Sequence, residues 1–509
     1  MRRKCCLSNL LILFFLLPVW CFAAPDKQEH MAGDVVQIAV SDIPISFSPY
    51  ADNRLAEQYS HLFFDPLLRW RADRQLEPRL VEKWEKVGPD LTRFYLKQNI
   101  KFHSGNDLTS QDVIWTFAEI RRNPKVNPFF DGIVNIVAQN SSSFDVQSEL
   151  SEQQLLDYLT HFFVLDSIFY TAKLNTIDDK LAEGLVPDNQ LYLSGTGPYQ
   201  LRDYNSNTHL NVLNNENYWE RNDTRLALSF IKIKSEKSRF FALLSSDVDI
   251  SAAISDNMLL HFSTSQSVVK IVSPRAMFLT IHDNKTDVFK QKKAREAIRL
   301  AINEVGMLKQ YVNGSGGVSS TFSPPLEDIH VNHKPYLPSY NVDKSRYYLN
   351  QLKVPKQLTL LVMVDQVENT QEVADALTKL MLLVGIQLKI TTVSKLEDWE
   401  KMQFNYDFTL SPWRSELIDS KNIYHDLFID SCLADFIEHL FIEAKLAGSI
   451  DSRAKVFELA QQENKIIPLF FENQLWASDK KYNLDEIFSA NGIPYWAMLK
   501  IKTPPSLNK

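Results

Sequence analysis

The sequence predicts an α/β protein with mixed sheets, divided into two or three structural units. Strand-like segments alternate with helix-like segments along the chain, which is the pattern of this class. Residues 358–362, 372–384 and 386–390 are the clearest instance, because they have the pattern of a strand, a helix and a second strand in a β-α-β unit. A chain of 509 residues is too long for one ordinary hydrophobic core, and its hydrophobic content of 45% provides apolar side chains for several cores.

The remaining elements follow from local periodicity. Apolar alternation indicates strands, an apolar stripe at helical spacing indicates helices, and Pro, Gly, Asn and Asp indicate the turns between them. Strands are predicted at 35–40, 93–97, 101–103, around 134 and 144, and at 199–204, 210–213, 229–233, 247–250, 277–281 and 406–410. Helices are predicted at 57–68, 110–122, 152–159, 239–244, 291–311 and 343–352, and a short helix is predicted to begin in 76–85, with Pro78 near its start.

A rigid bend is predicted at 195–199, where the sequence is Gly-Thr-Gly-Pro-Tyr. The two glycines tolerate positive φ, and the proline ring fixes its own φ near about −65°. Two interpretations remain open for this bend. It is an ordinary turn that enters a strand, or it is a crossing of the chain between packed units.

The N-terminus has the pattern of a cleavable secretory signal. A basic start at 2–4 precedes an apolar run at 10–24 that is too short for a comfortable membrane span. Small residues precede the expected cleavage site after Ala23, so residues 1–23 are the predicted signal peptide. The mature protein is therefore expected in the periplasm.

The cysteines support the same compartment. Cys5, Cys6 and Cys21 lie in the predicted signal, so Cys432 would be alone in the mature chain and no internal disulfide could form. We expect Cys432 to be a small buried apolar residue rather than a nucleophile. Lipid anchoring through Cys21 is disfavoured, because the bulky Trp20 stands where a small residue is needed.

The charge balance excludes one class of partner. The full chain has a net charge of −7, and removal of residues 1–23, which carry three positive charges and no acidic residue, changes it to −10. Such an acidic protein lacks the basic excess that nucleic-acid binding requires. We therefore expect no nucleic-acid partner.

Enzyme signatures are absent from the sequence. It has no Gly-x-Ser-x-Gly elbow, no His-Glu-x-x-His motif and no phosphate loop that ends in Gly-Lys-Ser/Thr. Residues 314–317 are Gly-rich, but they follow a predicted helix and are interpreted as a flexible loop. His330 and His333 have helical spacing, but Pro335 and the lack of a completing cluster argue against a metal site. No catalytic residue, metal or cofactor is predicted.

A polar cluster follows the predicted strand at 406–410, where α/β proteins tend to bind ligands. It contains the indole of Trp413, the guanidinium of Arg414 and the carboxylates of Glu416 and Asp419. Together these groups could hold a zwitterion through aromatic packing, a carboxylate for its ammonium group and an arginine for its carboxylate. A solvated loop with a local salt bridge is the alternative.

Ordered motifs along nearly the whole mature chain resemble those of one family. Residues 195–199 match its Gly-Thr-Gly-Pro-Tyr segment outright, and 215–219 match its Asn-x-x-Tyr-Trp segment. Further resemblance lies in 76–85, in 94–117 with Lys97 and Ser110 as departures, in 293–298 and in 384–386. The family is the extracytoplasmic solute-binding proteins of family 5, the peptide/nickel-binding components of ABC importers.

The resemblance implies a bilobal periplasmic-binding-protein clamp, of type II-like architecture with an extra inserted small domain, that closes on its ligand by hinge motion. The bend at 195–199 would then be the return from the inserted domain. The implied division gives lobe I residues 24–50, 190–272 and 476–509, the inserted small domain residues 51–189, and lobe II residues 273–475.

The resemblance also implies ligand contacts. Many peptide-binding members have a Gly-Trp-x-x-Asp-x-x-Asp-Pro loop whose first Asp holds the peptide amino terminus. Here Pro412 replaces its Gly and Glu416 replaces that Asp, which keeps the charge with a longer reach. Arg414 is a further candidate contact, and Phe47 and Tyr50 are expected to line the cleft from lobe I.

The implied function is that of a monomeric periplasmic receptor. It would capture oligopeptides in the interlobe cleft and deliver them to an inner-membrane ABC permease complex. The alternatives are a ligand-sensing receptor, a binder of a non-peptide solute such as a sugar or a nickel complex, and a secreted hydrolase with a noncontiguous site.

Overall fold

Strands and helices alternate along the chain, as the sequence predicts. The structure is a computed structural model that describes residues 35–50, 54–124, 126–174, 193–221, 225–254, 256–311, 316–318, 340–364, 370–414 and 462–502. The strands are β1 (Val35–Val40), β2 (Leu68–Trp70), β3 (Leu76–Pro78), β4 (Val81–Lys86), β5 (Leu91–Leu96), β6 (Ile133–Asn140), β7 (Ser143–Ser148), β8 (Tyr199–Asn205), β9 (His209–Asn214), β10 (Ala227–Lys232), β11 (Ile250–Ile254), β12 (Gln266–Ile281), β13 (Gly316–Val318), β14 (Gln357–Met363), β15 (Gln387–Val393), β16 (Phe408–Arg414), β17 (Ile466–Asp479), β18 (Tyr482–Asn483) and β19 (Lys500–Ile501). The α-helices are α1 (Arg54–Phe63), α2 (Ser110–Arg122), α3 (Glu152–Tyr158), α4 (Ser167–Leu174), α5 (Glu236–Leu244), α6 (Asp256–Leu259), α7 (Lys292–Ala301), α8 (Glu304–Tyr311), α9 (Val342–Gln351), α10 (Thr370–Leu383) and α11 (Leu396–Met402).

One large sheet organises the described part of the chain. It has 11 strands in the order β15-β14-β16-β12-β17-β11-β1-β10-β9-β8, with β13 paired to β17 beside this path. Its two longest strands, β12 with 16 residues and β17 with 14, are antiparallel neighbours. The C-terminal part of β12 pairs with β16, whereas the C-terminal part of β17 pairs with β11. Both strands therefore pass from one half of the sheet into the other.

These two strands are irregular where they pass between the halves. Their register shifts between Val272 and Ala276 of β12, which pair with Asn473 and Phe471 of β17. An irregularity of this kind disrupts the ladder locally and bends the strands. We call residues 272–276 and 471–473 the crossing. It joins a half-sheet in lobe I, which contains β11, β1, β10, β9 and β8, to a half-sheet in lobe II, which contains β16, β14 and β15.

The core of lobe I forms around its central strand. β1 pairs in parallel with β10 on one side and with β11 on the other. Val36 and Ile38 are fully buried against α1 and the segment 482–499, and Ala39 is buried on the opposite face beside α5. Coverage on both faces explains why the sequence of β1 is almost continuously apolar.

The core of lobe II contains the predicted β-α-β unit. β14 and β15 are parallel, which confirms that prediction. The connecting helix α10 buries Val373, Ala374, Leu377 and Met381, a spacing that places one apolar face on the sheet. A fully buried Val or Leu contributes about 1.5–3 kcal/mol, so this face accounts for the docking of the helix.

The prediction of one long helix at 291–311 is wrong, because α7 ends at Ala301 and α8 begins at Glu304. Ile302 has an extended backbone, with φ −93° and ψ 126°. Asn303 Oδ1 accepts a hydrogen bond from the amide of Gly306 at 2.9 Å and so caps the second helix. The apolar period continues through the break, which explains why the pattern predicted a single helix.

A third core lies in the segment between α1 and the bend at 195–199. Its sheet has the order β4-β5-β7-β6, and α2 packs on it through Val113, Phe117 and Ile120. α2 begins as predicted, with Asp112 Oδ2 accepting a hydrogen bond from the amide of Thr109 at 2.8 Å. We call this unit the small domain.

The prediction of a short helix in 76–85 is also wrong, because these residues form β3 and most of β4. Pro78 ends β3 opposite Leu68, and Trp84 of β4 pairs with Phe94 of β5. A proline near the start of a polar segment resembles a helix N-terminus locally. The antiparallel pairing with the neighbouring strands β2 and β5 determines the outcome.

The three cores also bear on the domain limits expected from the sequence. Tyr59, Leu62 and Phe63 of α1 belong to the core of lobe I, although the expected small domain begins at residue 51. The core of the small domain runs from Leu67 to Val164. The exact limits of the domains remain a prediction.

Candidate functional site

The strand directions identify the candidate site. In lobe II, the parallel strands β14 and β16 run toward the crossing, because the last residue of β16, Arg414, pairs with Arg275 of β12. In lobe I, β11 also runs toward the crossing, since its last residue, Ile254, pairs with Leu475 of β17. β1 and β10 are parallel to β11. The carboxyl ends of both half-sheets therefore converge on the crossing, and ligands of open α/β sheets bind at such ends.

The segment after β1 forms part of this edge in lobe I. Asp42 lies two residues after the end of β1, and its carboxylate forms an ion pair with the ammonium group of Lys232 at the end of β10. The Tyr59 hydroxyl donates to the carbonyl of Asp42 at 3.0 Å, and the Tyr204 hydroxyl donates to that of Pro44 at 2.6 Å. These contacts hold residues 41–50 in place at the edge of the sheet.

Phe47 supports this segment from beneath. Its side chain is 0% exposed, and its ring makes edge contacts with Tyr59, Phe63 and Tyr204 at centroid distances of 6.1, 5.2 and 5.0 Å. The sequence led us to expect Phe47 on the cleft wall. The structure places it in the core of lobe I, where its ring is inaccessible to a solute unless that core opens.

Tyr50 lies between two cores. Its ring packs against both the core of lobe I and that of the small domain, and its hydroxyl donates to the carbonyl of Phe163 at 2.7 Å. Burial raises the pKa of this hydroxyl, and the hydrogen bond to Phe163 opposes that effect. Tyr50 therefore joins the segment after β1 to the small domain.

The polar cluster predicted after β16 begins at the crossing. Trp413 and Arg414 are the last residues of β16, and their backbones pair with Ala276 and Arg275 of β12. β16 extends farther than predicted, since it continues to Arg414, beyond the predicted end at residue 410. Glu416 and Asp419 lie outside the described residues.

A short strand that the sequence did not predict also meets the crossing. β13 pairs with residues 470–472 of β17, so the interpretation of residues 316 and 317 as a flexible loop is wrong. Gly314 lies outside the described residues. Gly316 has φ +148°, and a Cβ built on it would lie 2.0 Å from the carbonyl oxygen of Phe471. Glycine is needed here for close approach to the crossing rather than for flexibility.

The bend at 195–199 packs tightly against the end of α1. A Cβ at Gly195 would lie 2.1 Å from the carbonyl oxygen of Phe63, and one at Gly197 would lie 2.3 Å from its carbonyl carbon. The Gly197 amide donates to Phe63 O at 3.0 Å, and the His103 amide donates to Gly195 O at 2.8 Å. The Asn215 side chain donates to Gly197 O at 3.0 Å. These contacts join lobe I to the small domain. They favour the second interpretation of the bend, in which the chain passes there from one packed unit to another.

A buried carboxylate lies beside this bend and joins the same two units. Asp65 is 4% exposed. It accepts hydrogen bonds from the Tyr218 hydroxyl and the Trp219 indole, both at 3.0 Å, and from the Thr196 hydroxyl at 3.3 Å. The guanidinium of Arg79, itself 1% exposed, is 3.4 Å away. Three of the motifs that carry the family resemblance thus meet at one buried polar cluster with a positioning role.

The described residues offer neither a membrane-spanning helix nor a cluster of metal ligands. None of the helices there has the length and apolar composition needed to span a membrane. The same residues contain no group of three or more His, Cys, Asp or Glu side chains placed to hold a metal ion.

Comparison with known proteins identifies the family. Residues 75–432 match the family described as "Bacterial extracellular solute-binding proteins, family 5 Middle", and this match covers more than half of the chain. The chain belongs to this family. As a family 5 member it is an extracytoplasmic solute-binding protein rather than an enzyme, in agreement with the expectation from the sequence.

Individual relatives of this family 5 protein are distant but match along most of its length. It is 23% identical, over 91% of its length and 92% of the relative's, to the probable ABC transporter periplasmic-binding protein SapA of Escherichia coli K12. The ABC transporter-associated periplasmic binding protein DppA from Helicobacter pylori, solved in complex with the peptide STSA, matches with a TM-score of 0.77 and 18% identity over 92% of this chain and 98% of that one. Staphylococcus aureus NikA, solved in complex with Ni(L-His)2, matches with a TM-score of 0.74 and 17% identity over 92% of this chain and 100% of that one. At these identities the solved structures establish the fold, and they confirm the bilobal clamp.

Proposed function

We propose that this family 5 protein captures oligopeptides between its lobes in the periplasm and delivers them to an inner-membrane ABC permease complex. The observation that carries the proposal is the convergence of the carboxyl ends of both half-sheets on the crossing. A solute bound there contacts both lobes at once, so binding favours the closed arrangement. The predicted signal peptide at 1–23 accounts for export, and the protein acts as a monomer.

Peptides are the favoured solutes because of one of the similarities reported above. DppA, a structure similar to this chain over nearly its whole length, was solved with a peptide. The relative SapA carries the name of an ABC transporter periplasmic-binding protein, which supports delivery of the solute to an ABC permease. Both matches cover more than nine-tenths of this chain, so the comparison includes both lobes and the small domain.

The polar cluster after β16 supplies suitable chemistry for a peptide. We assign the carboxylate of Glu416 to the peptide ammonium group and the guanidinium of Arg414 to a carboxylate or carbonyl of the solute. The indole of Trp413 would pack on a side chain, and Asp419 would add negative charge beside the ammonium group. Tyr50 would contribute from lobe I. The backbone of β16 supports this assignment, because it brings the start of the cluster to the crossing.

A non-peptide solute is the second candidate, and the likeness to NikA favours it. That protein was solved with a nickel–histidine complex and has a TM-score of 0.74 to this chain. A metal complex carries amino-acid ligands with carboxylate groups, so the same arginine would suit it.

Binding of free and N-acetylated peptides tests the peptide assignment. Acetylation removes the ammonium charge, and Glu416→Gln removes the opposing carboxylate without changing the size of the side chain. Each change should weaken binding about tenfold, the worth of one charge-assisted hydrogen bond. Titration calorimetry of the mature protein gives both affinities, with Glu82→Gln on exposed β4 as a matched control that should bind like the wild type.

The combination of the two changes separates the possible outcomes. If Glu416 holds the ammonium group, acetylation should have little further effect in the Glu416→Gln variant. Equal affinities in all four combinations would remove Glu416 from the site. Native mass spectrometry of protein purified gently from the periplasm identifies the solute class independently. A metal complex or sugar in place of peptide would overturn the peptide proposal and leave the clamp intact.

A further inference from the structure

A buried arginine binds the backbone at the cleft edge of lobe I. Arg239, on α5, is 0% exposed. Its guanidinium donates to the carbonyls of Ile233 and Lys234 at 2.9 and 2.7 Å, and to those of Ala252 and Ala253 at 3.1 and 2.9 Å. One side chain thereby joins two stretches of backbone that are almost twenty residues apart in sequence.

Both stretches lie at the carboxyl edge of the half-sheet. Residues 233 and 234 directly follow β10. Residues 252 and 253 lie in the last half of β11, the part of that strand nearest the crossing. The arginine therefore connects two parts of the edge that we assign to the solute, one on each side of β1.

The second stretch has an unusual backbone. The pairing of β11 with β17 shifts register between Ser251 and Ile254, and Ala253 has a φ of +47°. A left-handed conformation at a residue with a side chain is unfavourable by about 1–2 kcal/mol, so it persists only where its surroundings impose it. Arg239 donates hydrogen bonds to both carbonyls of this bulge, those of Ala252 and Ala253. Bulges beside binding sites change the direction of the strand that follows.

We propose that Arg239 is a positioning residue for solute binding. It holds the turn after β10 and the bulge of β11 together, and it keeps Ala253 in the left-handed conformation. The backbone of 233–234 and 252–254 is then a fixed surface against which the solute is held. The solute part of this proposal rests on the proposed function.

The chain contains a matched control in lobe II. Arg295, on α7, is 2% exposed. It donates to the carbonyls of Phe289, Lys290 and Glu463 at 2.8, 3.0 and 2.7 Å, and to the carboxylate of Glu463 at 2.6 Å. Residue 463 precedes β17, at the end of lobe II that faces away from the crossing. Arg295 has the same backbone-binding chemistry but lies far from the candidate site.

The experiment compares Arg239→Lys with Arg295→Lys in the full mature protein. Lysine keeps the charge but not the forked geometry that reaches several carbonyls. Both variants should lower the midpoint of denaturant unfolding. Only Arg239→Lys should weaken binding of the peptide Ser-Thr-Ser-Ala, by about tenfold, and Arg295→Lys should bind within about twofold of the wild type. Loss of affinity in both variants, or in neither, would overturn the proposal.

Substitutions at Ala253 test the same point without removing a buried charge. Ala253→Val disfavours the left-handed conformation and should weaken peptide binding, whereas Ala253→Gly permits it and should leave the affinity unchanged. Equal affinities of these two variants would contradict a role for the bulge.

Hydrogen exchange of the ligand-free variants separates this inference from the proposed function. Arg239→Lys should speed amide exchange in 233–238 and 250–254, and Arg295→Lys should not. If Arg239→Lys shows faster exchange but the wild type binds no peptide, the proposed function alone would be refuted. Peptide binding by the wild type with unchanged exchange in Arg239→Lys would refute the inference alone.

Discussion

Substitution of Gly316 by alanine tests how β13 is held against the crossing. The added Cβ would lie 2.0 Å from the carbonyl oxygen of Phe471, whereas an ordinary contact begins at 3.4 Å. β13 must therefore move away from β17 by about 1.4 Å, the difference between these distances. That displacement lengthens an ordinary hydrogen bond beyond its useful range.

The expected loss follows from the pairing that this movement breaks. β13 and β17 are paired over three residues, and a backbone hydrogen bond contributes about 1 kcal/mol net. The positive φ of residue 316 adds a penalty for alanine. The free energy of unfolding should fall by about 2–4 kcal/mol.

The adjacent glycine is the control. A Cβ at Gly317 meets no atom within 4 Å, so Gly317→Ala should change the free energy of unfolding by less than about 0.5 kcal/mol. Denaturant titration followed by tryptophan fluorescence measures both variants, and hydrogen exchange shows whether the amides of 316–318 lose protection. If Gly316→Ala kept the wild-type stability and protection, the close approach described here would be refuted.

Two further predictions concern packing and pH. Gly197→Ala places a Cβ against the backbone of Phe63 and should lower the free energy of unfolding by about 3 kcal/mol. Denaturant titration measures this loss, with Gly317→Ala as the control. Equal unfolding midpoints for the two variants would contradict the close contact. Burial lowers the pKa of His282 to about 4. As the pH falls, the unfolded chain therefore takes up this proton before the folded protein does. The contribution of neutral His282 to stability should be complete above about pH 6.5, and the free energy of unfolding should fall by about 3 kcal/mol as the pH drops toward 4. His282→Asn should flatten that decline in unfolding experiments between pH 7 and 4, and an unchanged slope would assign the decline to other groups.

Elements whose local pattern agrees with their surroundings could be predicted from the sequence. β14, α10 and β15 have strong periodicity and adjacent partners, so the β-α-β unit follows from residues 357–393 alone. The helix predicted in 76–85 failed because Pro78 and the charges around it also suit a helix start. β3 pairs with β2 and β4 pairs with β5 in antiparallel hairpins, and this cross-strand pairing rather than local propensity determines their conformation.

The candidate site was predictable only in part. The position after a predicted strand located the polar cluster, and the structure places the start of that cluster at the crossing. Phe47 shows the limit of the resemblance, because an aromatic residue beside the expected cleft belongs to the core instead. Arg239 was missed, since a lone arginine in an amphipathic helix has the pattern of a solvated residue. Gly316 was interpreted as a flexible residue, because close approach to a distant strand leaves no local signal.

The crossing has a consequence for how the protein distinguishes solutes of different size. A ribbon of two hydrogen-bonded strands bends and twists far more readily than it stretches, because stretching strains covalent geometry. The separation of the lobes at the ribbon is therefore nearly constant, while the opening grows with distance from it. For a solute bound as we propose, a group at the base would meet a gap of fixed width, and only the outer rim would adapt to solutes of different length. Selectivity for one end of the solute and tolerance of the other would then be properties of the same two strands.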